Sequence, residues 1–259
     1  MEKLRLAINL IGLLKNWPTF FLDYLGVYKH RHITYVLNNG IKYKTRSGEV
    51  DSLLIADIWI RKMYTPPDFR IRKHDIVVDI GAHIGIFSLF AAAQAKGGRI
   101  YSYEPDPENF DLLQQNIKIN STENIALFRL GLSGKKEIRQ LFLSSQRKTE
   151  HSIYIEAENS VDIRCVTLKD VFDENRLGEI DLLKMDCEGA EYEVLFNTPQ
   201  NYLRRIRKIS LEYHDGVMGH NHQELKYFLE SRGFDTTTET FSFQKNTSWG
   251  MMYGRNRNR

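Results

Sequence analysis

Two short stretches gather the residue types that chemistry requires. The first is Asp79-Ile-Gly-Ala-His-Ile-Gly85, followed 19 positions later by Glu104. Gly81 lets a chain turn sharply, and Gly85 lets a ligand or a helix approach the backbone closely. Amides exposed at a helix start favour a carboxylate or phosphate. An acidic side chain at the end of the following strand can accept hydrogen bonds from both hydroxyls of a ribose. The second stretch is Lys184-Met-Asp-Cys-Glu-Gly-Ala-Glu191, which places Lys184, Asp186, Glu188 and Glu191 within eight positions. Carboxylates set so close can balance a positive charge, hydrogen-bond a hydroxyl, or take its proton.

The spacing narrows the ligand. A dinucleotide fingerprint needs G-x-G-x-x-G, whereas position 83 is histidine and the glycines here are spaced G-x-x-x-G. No Gly-Lys-Ser/Thr follows, so this is no phosphate loop. A looser turn that opens on an acidic residue suits S-adenosylmethionine, whose amino-acid tail replaces the pyrophosphate. Asp79 is expected to help place the ligand's ammonium group, directly or through water. His83 reads as a contact to its carboxylate or as solvent-facing. The adenine is expected near Gly131-Leu132, and Ser152, after His151, beside the cofactor. The candidate cofactor residues are thus Asp79, Gly81, Ala82, His83, Gly85, Glu104, Pro105, Leu132 and Asp186.

An alcohol attacking a sulfonium methyl must lose its proton, so a base within reach is expected. Asp186 and His214 are the candidates, with Glu188 the third member of the catalytic set. His214 lies in Glu212-Tyr-His-Asp215, the end of a predicted strand on the same edge as Asp186. Lys184 reads equally as a structural ion pair or a direct contact. Glu191 and Glu193 read as a solvated helix start favoured by the dipole. His214, Asp215, His220 and His222 match no metal-ligand spacing, so no metal is expected. Cys187 lacks an activating partner and reads as packing.

These residues need a scaffold that brings two strand ends together. Ile76–Ile80 is apolar on both faces, as a buried parallel strand should be. Gly85–Lys96 reads as a helix stopped by Gly97-Gly98. Arg99–Tyr103 is the next strand, and Asp106-Pro107 opens another helix. Ile125–Leu130, Ile180–Met185 and Ile206–Glu212 read as further strands, with helices over Leu168–Asn175, Ala190–Phe196 and Gln223–Gly233. Residues 136–168 carry three strand-like pieces, Ile138–Leu143, Ser152–Glu156 and Asp162–Thr167, expected as a small antiparallel insertion beside the main sheet. Thr237–Phe243 and Gly250–Gly254 end the chain. Alternating strands and helices predict an α/β, Rossmann-like, mostly parallel sheet with helices on both faces and an antiparallel C-terminal strand.

The front of the chain reads differently. Leu6, Leu10, Leu13 and Leu14 fall at helical spacing, and a second short apolar segment follows at Phe20–Leu25. The apolar run is far shorter than the ~20 residues a bilayer demands. A helix packed on the domain is the reading, with interfacial membrane attachment as the alternative. Residues 33–46 alternate around Asn38-Asn39-Gly40 and read as a hairpin with a tight Asn-Gly turn. Residues 51–63 look helical. We divide the chain into an accessory segment, 1–45, and a catalytic domain, 46–259.

Composition sets the outer bounds. The 259 residues carry 36 basic and 33 acidic side chains, a net +3, which is no concentrated nucleic-acid footprint. Two cysteines make neither a disulfide framework nor a zinc quartet, and a reducing, cytoplasmic setting is expected.

Four segments carry a family resemblance: Val78–Gly85, Tyr103-Glu-Pro-Asp-Pro107, Leu183-Lys-Met-Asp-Cys-Glu-Gly-Ala-Glu-Tyr-Glu-Val-Leu195 and Ser210-Leu-Glu-Tyr-His214. Together they resemble the FkbM-type methyltransferases, over about Arg46 to Phe234. Arg46-Ser-Gly-Glu-Val-Asp51 is similar to that family's entry segment. The resemblance implies a class I fold, S-adenosylmethionine as donor, and methylation of hydroxyls on sugars, glycans or small metabolites. A catalytically silent binding module on the same fold, held at a membrane by its first helix, is the alternative.

Overall fold

The computed structural model describes the chain apart from residues 1, 29–30, 144–158, 217–218 and 245–246. For residues 2–4, 143, 242–244 and 247–248 it describes the backbone alone. His151, Ser152 and the strand expected at 152–156 fall outside the described residues.

Helices α1 (Glu2–Leu13) and α2 (Trp17–Tyr24) lead into a hairpin of β1 (His32–Val36) and β2 (Lys42–Arg46). Its connection is longer than a two-residue turn: Val36 pairs with Lys42, and the Leu37 amide donates to the Ile41 carbonyl at 2.8 Å. Only Gly40 of the Asn-Asn-Gly run takes a positive φ, +94°. The helix expected over 51–63 divides into α3 (Asp51–Ala56) and a π-helical turn over Asp57–Arg61.

The β-α-β core follows: β3 (Ile76–Ile80), α4 (Ile86–Gln94), β4 (Arg99–Tyr103), α5 (Pro107–Ile119) and β5 (Ile125–Phe128). Asp106 caps α5, its Oδ1 accepting the Asn109 amide at 2.7 Å. Gly97 and Gly98 do not form a left-handed cap; both keep negative φ. A Cβ on Gly98 would stand 2.0 Å from the Asp75 carbonyl oxygen, so close backbone approach fixes glycine there.

The insertion forms its own three-stranded sheet, β6 (Gly131–Leu132), β7 (Glu137–Leu143) and β8 (Asn159–Val166), in the order β6-β8-β7. β7 is antiparallel to β8, whereas β6 runs parallel to it. Then come α6 (Leu168–Glu174), β9 (Ile180–Met185), α7 (Ala190–Phe196), α8 (Gln200–Leu203), β10 (Ile206–His214), α9 (His222–Ser231), β11 (Phe234–Gln244) and β12 (Thr247–Asn256). Among the described residues the main sheet runs β11-β12-β10-β9-β3-β4-β5. β10, β9, β3, β4 and β5 are parallel, and β12 lies antiparallel to both β10 and β11.

The pleat sends alternate residues to opposite cores. Val77 and Leu182 join a cluster with α1, the hairpin, α4 and α5. Val78 and Leu183 join the other, with α6, α7 and α9. Leu10, Leu14, Tyr35 and Tyr43 belong to the first cluster, so residues before 46 share a core with residues after it. Strand order reverses between β3 and β9. In a sheet of this kind the crevice at that reversal, outside the strands' carboxyl ends, is where ligands bind.

Candidate functional site

Both chemical stretches end at this crevice. The backbone joins them first: the Asp186 amide donates to the Ile80 carbonyl at 3.1 Å. Gly81 takes φ +71°, and a Cβ there would lie 1.7 Å from the Asp186 carbonyl oxygen. Its glycine is therefore demanded by the chain's own crossing of two strand ends. Gly85, at φ +87°, begins α4, and a Cβ there would meet Leu113 of α5 at 2.4 Å. The amides of Gly81 and Ala82 both donate to the Tyr103 carbonyl, at 3.0 Å each.

Asp79 does not face an open turn. It is fully buried directly opposite Lys184 in the β3–β9 register, with Lys184 Nζ 3.1 Å from its Oδ1. Its Oδ2 accepts the Ser88 hydroxyl at 2.6 Å. Lys184 also donates to the carbonyls of Gly81, at 2.6 Å, and Ile80, at 3.2 Å. Burial would lower this ammonium's pKa, but the charges of Asp79 and Asp186 raise it above the ordinary value. Of the two readings of Lys184, the structure holds the ion pair.

Glu104 ends β4 beneath the turn. Its Oε2 accepts the His83 amide at 2.7 Å, and its Oε1 the Asp106 amide at 2.9 Å. Burial pushes its pKa up to about 7, against the pull of those amides. Each carboxylate oxygen has a second lone pair, so two further donors can be accepted. Pro105 follows, against Gly131 of β6, and Leu132 is buried beside it.

His83 holds φ +51°, uncommon for a side chain with a Cβ. Its Nε2 lies 2.8 Å from an Arg46 guanidinium nitrogen, whereas its Nδ1 is buried with no partner among the described residues. Arg46 forks onto Asp51 with two bonds of 3.0 Å and donates to Asn109 Oδ1 at 2.8 Å. Burial lowers the His83 pKa to about 4, despite the Asp51 carboxylate, so the ring is neutral at pH 7. This clamp, rather than solvent, is what His83 meets.

The second stretch forms an acid-rich edge. Asp186 Oδ2 accepts the Tyr64 hydroxyl at 2.7 Å. Glu188 sits at φ +52°, a backbone region that costs energy for any residue but glycine. His214, at the end of β10, lies 3.4 Å from Glu188, 3.4 Å from Glu212 and 3.6 Å from Glu191. Burial opposes its charge, but Glu191, Glu212 and Glu188 outweigh that and raise its pKa well above the usual value. Burial and the neighbouring Asp186 push Glu212 up to about 7, against the pull of His214. Burial raises Glu188 well above the ordinary carboxylate range, again against His214. Donor atoms of Asp186, Glu212 and His214 all lie within 4.8 Å of one another, a spacing that a divalent ion could also use.

The remaining expectations divide. Glu191 is not solvated: it is fully buried, and its oxygens accept the Cys187 amide at 2.8 Å and the Gly189 amide at 2.9 Å. Glu193 is partly exposed and takes a two-pronged grip from Arg139, at 2.7 Å for both bonds. Burial first, then Glu191, drives the Cys187 thiol's pKa well above its usual value, consistent with packing. Asp215 and His222 pair with each other at 2.6 Å, and His220 pairs with Glu224 at 2.9 Å. The first pair is largely buried beside Tyr192, and the second is exposed. Residue spacing gave no warning of Tyr64, which no helical or strand period marks. Glu212 was visible only as part of the His214 segment.

A glycine turn after the first core strand, a carboxylate ending the second and an acidic edge at the switch point define a class I methyltransferase fold. The donor set suits a cationic, ribose-bearing ligand: Glu104 retains lone pairs, and carboxylates gather where positive charge would lie. The model of the Methyltransferase FkbM domain matches residues 79–236, and the chain belongs to that family. It is an S-adenosylmethionine-dependent methyltransferase. Methyltransferase sdnD of Sordaria araneosa is 27% identical over 204 residues, 66% of this chain and 77% of its own. The 31-O-demethyl-FK506 methyltransferase FkbM of Streptomyces tacrolimicus is 26% identical over 225 residues, 74% of this chain and 85% of its own. Hexuronic acid methyltransferase AglP of Haloferax volcanii is 25% identical over 145 residues, 56% of this chain and 58% of its own. Among the described residues no helix is long and apolar enough to cross a membrane.

Proposed function

We propose that this chain methylates a hydroxyl oxygen on a sugar, glycan or small metabolite, and that the acid-rich edge handles the acceptor. One observation carries the reading. Asp186, Glu188, Glu191 and Glu212 gather around a single imidazole at the crevice, next to the glycine turn. Two relatives point the same way by name, one directed at an oxygen of FK506 and one at a hexuronic acid.

When bound, S-adenosylmethionine supplies an electrophilic methyl on a positively charged sulfur. Glu104 accepts the ribose hydroxyls through its unused lone pairs. Ala82, His83 and Gly85 shape the turn that receives the amino-acid end. Pro105 and Leu132 flank the adenine. Asp79 acts at one remove, locking Lys184, which in turn fixes the Ile80 and Gly81 carbonyls. Asp186 holds the acceptor hydroxyl and takes its proton. Tyr64 orients the Asp186 carboxylate through its 2.7 Å bond. His214, whose charged form the surrounding carboxylates favour, lies against Glu188 and Glu212 and orients them, and stands second to Asp186 as the base. Most of the acceleration comes from holding nucleophile and methyl about 3 Å apart.

The test is an acceptor screen with labelled methyl donor, using free glycans, uronic acids and hydroxylated metabolites. Label in an alkali-stable ether supports oxygen methylation. Label confined to amines or thiols contradicts it. Donor binding with no transfer to any acceptor would favour a binding module.

A further inference from the structure

The opposite edge of the sheet carries a second concave site that methyl transfer does not use. A cavity of about 480 Å³ opens there, within the size range of small-molecule sites. Six basic side chains and three carboxylates line it, a local excess of three positive charges. That excess equals the net charge of the whole chain, so the charges of all other residues sum to zero.

Packing explains which charges are available. Asp75 is engaged by the Arg72 amide at 2.8 Å. Asp181 accepts the Ile76 amide at 2.8 Å and the Arg207 guanidinium at 3.1 Å. Lys208 donates to the Arg70 carbonyl at 2.9 Å, which ties the loop before β3 to β10. These bonds fix the cavity floor. Among the described residues, the guanidiniums of Arg70, Arg72 and Arg255 have no carboxylate partner within 4 Å, and all three side chains are exposed. The strand register adds a cost: Lys208 lies directly opposite Arg255 in the β10–β12 pair. Like charges so placed repel. Asp235 flanks Arg255 on its other side, but Arg257 holds that carboxylate at 2.8 Å. Burial also pulls Lys208 below its ordinary pKa, a strain that a bound anion relieves.

We propose that this cavity binds a phosphoryl group, gripped by Arg70, Arg72 and Arg255, on a ligand distinct from the methyl acceptor. Guanidinium forks match phosphate oxygens in pairs, which favours phosphate over a monovalent halide. Asp181, at the cavity, lies near the start of β9, and Asp186, at the methyl-transfer edge, follows its end. At about 3.3 Å per residue they are about 17 Å apart, so a small ligand cannot reach both.

The test uses the full chain at fixed ionic strength, with pyrophosphate titrated by calorimetry. Saturable binding is expected, weakened about tenfold or more in R70Q/R72Q/R255Q. A control, K15Q/K96Q/K118Q, removes three exposed charges elsewhere and should keep its affinity. S-adenosylmethionine affinity should be unchanged in both, which separates this site from the catalytic reading. Sedimentation with phosphatidic acid vesicles, against phosphatidylcholine vesicles, identifies the source. Cavity-dependent sedimentation supports a lipid headgroup, and pyrophosphate binding without sedimentation supports a soluble phosphoryl ligand. Absence of saturable pyrophosphate binding, or equal loss in both triple variants, overturns the proposal.

Discussion

Two polar networks flank the glycine turn, and their charges are balanced to very different degrees. In the clamp, the Arg46 guanidinium meets Asp51, Asn109 and His83, and the Arg46 and Asp51 side chains are 9% and 0% exposed. Its one cation and one carboxylate match. At the acid-rich edge, four carboxylates surround one imidazole. The matched network resembles a brace: it fixes where His83, and so the turn, must lie. The unmatched one costs stability unless a cation or proton arrives. Sites that handle charge are where such imbalance is expected.

Breaking the brace should hurt folding most. Asp51→Ala leaves Arg46 buried without its partner, a loss of about 3–5 kcal/mol. A calorimetric melt should show a large fall in Tm; a fall no greater than that for a surface substitution would deny Asp51 its bracing role. Next in size is Glu104→Ala, which removes two charge-assisted bonds worth about 1.5–3 kcal/mol each at most. Affinity for S-adenosylmethionine and for S-adenosylhomocysteine should fall together, by about a hundredfold or more on that scale. Equal affinity would remove the ribose assignment.

A smaller effect should appear with pH. Folding raises the Glu104 pKa from its ordinary 4.5 to about 7, chiefly through burial. Its protonated form therefore favours the folded state below 4.5, and that contribution is lost as pH rises through about 7. A ligand that donates to the carboxylate has the opposite preference. S-adenosylhomocysteine affinity should thus rise between pH 6 and 8, and Glu104→Gln should flatten the rise. A wild-type profile that is flat, or that falls, would contradict the ionisation assigned to Glu104. The smallest change is Tyr64→Phe. It removes one hydrogen bond from Asp186, about 1 kcal/mol, and should lower kcat a few-fold with little change in KM. A shift in KM alone would place Tyr64 in binding rather than in orienting Asp186.

Much of this molecule was legible in its sequence because local rules and global fold agree. The buried strand Ile76–Ile80, the Asp106 cap and the Glu104 position after β4 follow from composition and spacing. Long-range contacts, which spacing does not carry, decide the rest. Gly81 looked like a turn residue, but the backbone of Asp186, 105 positions away, is what forbids a side chain. Glu191 looked exposed by helix position, yet it closes the Cys187–Gly189 loop from inside. Asp79 reads from the sequence as a residue that helps place the ligand's ammonium group; the β3–β9 register, which sets it opposite Lys184, is a long-range fact that spacing does not carry. Tyr64 was invisible because no periodicity marks a residue that reaches across 122 positions.

The contrast between brace and acid edge is tested most directly by Asp186→Asn in a labelled methyl-transfer assay with a hydroxyl acceptor, alongside donor titration and a melt. A general base is worth about 10²–10⁴ in rate. Turnover should fall by at least the lower figure, and by more than donor affinity does, while Tm stays close to wild type. Unchanged turnover in a folded, donor-binding Asp186→Asn protein would contradict the account.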